Sequence, residues 1–196
     1  MSRQFVILAL VALLAASGGY FVAMRLGEPP LSATTPVTNP AANPVALAPE
    51  VLIGQRRPDF SLADAAGNPV AAADFDGRAL LLNFWATWCA PCVEEMPMLS
   101  RLQREHAGQG LRVVGISVDD PGRAQAFAQG LGLEYPVLFG AGPSGAGAAM
   151  LVGRRYGNAS GMLPYSVLVD ADGIVRWTHL GAVRREQLEA QLAALP

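Results

Sequence analysis

The chain has no lysine; all 14 of its basic residues are arginine. Chemistry that needs a lysine amine is therefore excluded, including a P-loop, a Schiff base and a kinase-type site. Histidine is limited to His106 and His179, far apart in sequence. Cysteine is limited to Cys89 and Cys92. One pair cannot supply a multi-bridge scaffold, which takes roughly two to four disulfides in a small fold. It also cannot complete a structural zinc site, which takes about four ligands. Charged residues make up 15% of the chain, against roughly 25% in ordinary soluble domains. The net charge is -2 with no basic cluster, which leaves no electrostatic footprint for nucleic acid.

What the chain does have is an uncharged apolar run, Phe5 to Met24, of 20 residues. As a helix this run spans about 30 Å, the thickness of a bilayer's hydrocarbon core. Arg3 precedes it and Arg25 follows it. Residues 1–25 thus read as an N-terminal transmembrane anchor, with the chain's start in the cytoplasm. A cleaved signal peptide ending near Ala15-Ala16-Ser17 is the competing reading. Either way, the rest of the chain lies outside the cytoplasm. Residues 26–50 carry Pro29, Pro30, Pro36, Pro40, Pro44 and Pro49. That density forbids a helix or an inner strand and makes an extended spacer.

Residues 51–196 read as one folded α/β domain. A short strand is expected over 59–63, with a turn at Gly67-Asn68. Ala79 to Ala86 (ALLLNFWA) is an apolar run suited to a strand covered on both faces. A helix follows from about Pro91, with Val93, Met96, Leu99 and Leu102 on one stripe and a kink expected at Pro97. Leu111 to Val118 is a second inner strand. Then come a helix over 121–130, a strand over 136–139 and a helix over 148–156. Tyr165 to Val169 and Ile174 to His179 form a hairpin about Asp170-Ala171-Asp172-Gly173, and a helix over 184–195 closes the chain. Helices alternating with strands, then a hairpin, imply a mixed sheet flanked by helices.

Cys89 falls between a buried strand and the start of a helix. The helix dipole and its free N–H groups stabilise a thiolate there, lowering the pKa below the usual value of about 8.5. Cys92, one turn on, is placed to resolve a mixed disulfide. The spacing alone also fits a metal half-site or an inert staple, but the shortage of further ligands favours redox chemistry. Trp88 and Pro91 flank the pair and would shield it and limit its flexibility.

Asn83-Phe84-Trp85-Ala86-Thr87-Trp88-Cys89-Ala90-Pro91-Cys92, with Met96-Pro97 and Gly161-Met162-Leu163-Pro164, resembles the active-site segments of the thioredoxin superfamily. More narrowly, it resembles the TlpA/ResA-type membrane-anchored thiol:disulfide oxidoreductases, over residues 51–196. The resemblance implies a thioredoxin-like fold and no cofactor. It implies catalysis by Cys89 and Cys92, with Glu95 tuning the thiols and shuttling protons. Pro164 matches a cis-proline beside the sulfurs. Leu163 would present its backbone to an extended substrate, with Trp88 and Pro91 completing the docking site. Glu94 reads as a solvated acid. Ordinary thioredoxins carry a buried Asp where this chain has Asn83, and an amide cannot relay a proton, which shifts weight to Glu95. The implied function is reduction of disulfides in envelope proteins of a bacterial cytoplasmic membrane, for example in cytochrome c maturation. Its electrons would come from a membrane-embedded thiol donor.

The alternatives are a thiol oxidase or isomerase, a peroxidase, and a copper-binding assembly factor using His106 or His179. A peroxidase wants Thr three residues before the reactive Cys, and Ala86 stands there. Gly140 to Gly145 matches a dinucleotide pattern, but Pro143 and the distant Asp170 fit it poorly. The segment 170–173 begins like a calcium loop but lacks the later Glu, so it is read as a turn.

Overall fold

A computed structural model describes residues 52–140 and 145–196. The expected anchor and spacer lie outside these residues, as does the interior of the Gly140–Gly145 pattern. Among the described residues, no helix is long and apolar enough to cross a membrane.

Among the described residues the strands are β1 (Ser61–Ala63), β2 (Pro69–Ala71), β3 (Ala79–Trp85), β4 (Leu111–Ser117), β5 (Val137–Phe139), β6 (Tyr165–Val169) and β7 (Val175–Leu180). The helices are α1 (Ala90–His106), α2 (Pro121–Leu131), α3 (Gly145–Arg155) and α4 (Arg185–Ala193). They build one mixed sheet in the order β2-β1-β5-β4-β3-β6-β7. β3 lies at its heart, parallel to β4 and antiparallel to β6. That position explains its apolar run, because both of its faces are covered.

Alternation along β3 sorts the two faces. Leu81 joins Val113, Leu168, Leu99 and Leu102 of α1 and Leu188 of α4 in one cluster. Leu82 and Phe84 join Ala149 and Val152 of α3 in the other. At Gly153 α3 faces the Phe84 ring, which a methyl group there would meet at 3.4 Å, an ordinary contact.

The strand expected over 59–63 begins at Ser61. β2 was not anticipated, because Pro69-Val70-Ala71 offers three residues without clear alternation. Its turn is fixed by Asp64, whose carboxylate accepts from the backbone N–H of Ala66 and Asn68. α3 begins three residues ahead of the expected start at 148, where glycines masked it. α1 runs unbroken through Pro97. The 170–173 segment is a turn: Asp170 accepts from the N–H of Asp172 and Ile174 and pairs with Arg176. The chain's own donors thus occupy this carboxylate.

Gly115 of β4 is tightly packed against side chains. A methyl group there would lie 3.0 Å from Trp85 Nε1 and 3.1 Å from the Tyr135 ring. Gly115→Ala is expected to destabilise the protein by about 1–3 kcal/mol through overpacking, which a urea titration would measure.

Candidate active site

β3 delivers the chain to Cys89, which caps the N-terminus of α1 in an extended conformation. Its N–H donates to Ala86 O at 3.1 Å, and its carbonyl accepts from Val93 N at 3.1 Å. Asp119, just beyond β4, braces the approach by accepting from the backbone N–H and the hydroxyl of Thr87. Cys89 and Cys92 are joined by a disulfide with their Cα atoms 5.3 Å apart. Cys92 is 0% exposed and Cys89 6%. Cys89, at the helix N-terminus, is therefore the more exposed residue of the two.

The Leu163–Pro164 peptide is cis, the geometry the resemblance implies for Pro164. Phe84 pairs with Tyr165, which brings Pro164 level with Trp85 at the sheet end from which Cys89 emerges. The Pro164 carbonyl accepts from Gly181 N at 2.8 Å. Trp88 is 67% exposed and Met162 57%, so two large apolar side chains flank this end of the sheet in contact with solvent.

Glu95 follows Cys92 by three residues and shares its helix face. It is buried, whereas Glu94 is exposed. Its Oε1 accepts from Asn83 Nδ2 at 2.7 Å and its Oε2 from Val183 N at 2.8 Å. Asn83 Nδ2 also donates to Ser166 Oγ at 3.1 Å. Burial pushes the Glu95 carboxyl up to about 7, against the opposing pull of the hydrogen bonds from Val183 and Asn83. A carboxyl that titrates near neutrality beside a buried sulfur can both take and give a proton.

The structure thus brings Cys89, Cys92, Pro91, Trp88, Glu95, Leu163 and Pro164 to one region. His106 stands apart at the far end of α1, roughly 20 Å of helix from Cys92. There it joins Glu105 and Glu189, and Arg185 already bridges those two carboxylates. His179 stacks on Trp177 with ring centroids 5.3 Å apart.

A family model described as AhpC/TSA family matches residues 53–178. The thiol-disulfide oxidoreductase ResA of Bacillus thuringiensis is 34% identical over 141 residues, 71% of this chain and 76% of the relative. A solved structure from Chlorobium tepidum, assigned as a thiol:disulfide interchange protein DsbE, superposes with a TM-score of 0.63 at 32% identity, covering 72% of this chain and 96% of that one. A secreted Mycobacterium tuberculosis disulfide oxidoreductase superposes with a TM-score of 0.56 at 27% identity, covering 69% and 96%. The chain belongs to the AhpC/TSA family. It is a thiol–disulfide oxidoreductase of the thioredoxin-like, ResA-related kind.

Within this family the site departs from the peroxidase pattern. Ala86 occupies the position three before Cys89, and the Thr87 hydroxyl is bound to Asp119 rather than free to meet a peroxide. Sequence reasoning did not find Ser166, the Val183 N–H or Asp119. Ser166 meets Asn83 from 83 residues away and the Val183 N–H meets Glu95 from 88 residues away, and nothing local in their own segments marks them.

Proposed function

We propose that this oxidoreductase works as a reductase of disulfides in proteins outside the cytoplasm, held to a bacterial cytoplasmic membrane by its N-terminal segment. The observation that carries the direction is the buried Glu95 carboxyl beside Cys92. A strong oxidant of this fold owes its potential to a stabilised reduced form. A carboxylate near the thiols raises their pKa and destabilises the thiolate, which favours giving electrons away. The extracytoplasmic placement draws on the apolar run Phe5 to Met24 and on the secreted relative.

In the forward reaction the Cys89 thiolate attacks a client disulfide, forming a Cys89–client mixed disulfide and releasing one client thiolate. Glu95, as carboxylate, takes the Cys92 proton. The Cys92 thiolate then attacks Cys89 Sγ, breaks the mixed disulfide and frees the second client sulfur. Two electrons have passed to the client, and the Cys89–Cys92 disulfide of the structure is the product. Trp88, Pro91, Leu163 and Pro164 dock the extended client. A membrane-embedded thiol donor restores the dithiol, and no cofactor is needed. An apocytochrome c awaiting haem attachment has the chemistry of such a client.

The test is the reduction potential of the full-length chain in detergent, equilibrated against glutathione or dithiothreitol. A value below about -220 mV is expected, whereas one near -120 mV would make the protein an oxidant.

A further inference from the structure

Three buried side-chain polar atoms among the described residues find no hydrogen-bond partner in the protein: Asn83 Oδ1, Trp85 Nε1 and Tyr135 Oη. Their residues gather about Gly115 of β4. Asn83 and Trp85 lie on the same face of β3, and Asn83 pairs in register with Gly115 of β4. Over that glycine the Trp85 indole nitrogen and the Tyr135 ring close in, at 3.0 and 3.1 Å from where its Cβ would stand. Asn83 is 0% exposed. Its amide nitrogen is already committed to Glu95 and Ser166, so only its oxygen remains to be satisfied.

The three atoms are chemically complementary. An indole N–H only donates, an amide oxygen only accepts, and a phenol does either. Leaving each desolvated and unpaired is unfavourable. One water molecule can accept from Trp85, donate to Asn83 and bond Tyr135, matching the roughly three bonds typical of buried water.

We propose that Trp85, Tyr135 and Asn83 hold an ordered water behind the Asn83–Glu95 hydrogen bond, and that Tyr135 is through it a positioning residue for the Glu95 carboxyl. The water anchors the Asn83 oxygen and so keeps the amide nitrogen aimed at Glu95. That hydrogen bond favours the carboxylate, so loosening it moves the carboxyl's titration upward. Tyr135 itself stays protonated, its phenol pushed up by burial and then by the Glu95 charge. The other groups about Glu95 are the Val183 N–H ahead of α4, the disulfide on α1 and Ser166 on β6, with His179 opposite Ser166 on β7. The inference uses the titration of Glu95, not its part in exchange, so it stands or falls apart from the reductase reading.

The experiment is NMR on the full-length oxidised protein in detergent. A cross-peak between the Trp85 indole N–H and a long-lived water is expected in the unaltered protein. Tyr135→Phe should weaken that cross-peak and raise the Glu95 carboxyl midpoint by about half a unit, roughly threefold in proton affinity. A dry indole, or a midpoint unmoved in Tyr135→Phe, overturns the proposal. Should Tyr135→Phe fail to fold, the cross-peak in the unaltered protein decides alone.

Discussion

Cys92→Ser is expected to accumulate client proteins as mixed disulfides on Cys89, while Cys89→Ser traps none and loses all turnover. The asymmetry follows from where the two sulfurs sit. Cys89 caps the N-terminus of α1, where unpaired N–H groups and the helix dipole favour a thiolate, and it keeps the small exposure that Cys92 lacks. Attack therefore begins at Cys89. Without Cys92 the mixed disulfide has no intramolecular route to resolution. Non-reducing gel shifts and mass spectrometry of the variants would read the outcome. Trapping on Cys92 instead would reverse the assignment. Both variants should fold, because the lost disulfide closes a loop of sequence separation 3, worth on the order of 2 kcal/mol in the chain-entropy account.

The inner strands were legible because burial on both faces writes an unbroken apolar run, as in Ala79 to Trp85. Cys89 at a strand-to-helix junction was equally legible, since the strand's end and Pro91 mark the first turn of α1. The docking peptide Leu163–Pro164 was legible only through the family resemblance, because no periodicity marks a cis bond. The partners of Glu95 could not be read at all. Asn83 Nδ2 meets Ser166 because β3 and β6 run antiparallel with those residues in register. Val183 supplies a backbone N–H, which carries no sequence signature. Tyr135 reaches the same site from the segment between α2 and β5. The polar cluster is a property of topology, and a one-dimensional reading sees only the acid at its centre.

That acid gives the second large effect. The Glu95 carboxyl titrates at about 7 in the folded protein, against 4.5 for an ordinary glutamate. A difference of that size corresponds to about 3 kcal/mol between the two protonation states. The native state binds the proton more tightly than the unfolded chain does. The stabilisation is therefore fully present below about pH 4.5 and is lost as pH rises through about 7. Glu95→Gln removes the titration, so the gap in unfolding free energy between the two proteins should change by about 3 kcal/mol across that window. The glutamine pays one cost at every pH. Its amide nitrogen meets either the Asn83 or the Val183 donor, leaving one hydrogen bond unmade. Urea unfolding from pH 4 to pH 8 reads the difference, and parallel curves would refute a titrating carboxyl at this site. The same substitution removes the base for Cys92. The neutral-pH rise in the rate of client release should then vanish, while trapping of clients on Cys89 by the Cys92→Ser, Glu95→Gln double variant persists. Persistent trapping with a lost pH profile would separate proton transfer at Cys92 from nucleophilic attack at Cys89, because Glu95 meets the chain's own donors and not the attacking sulfur.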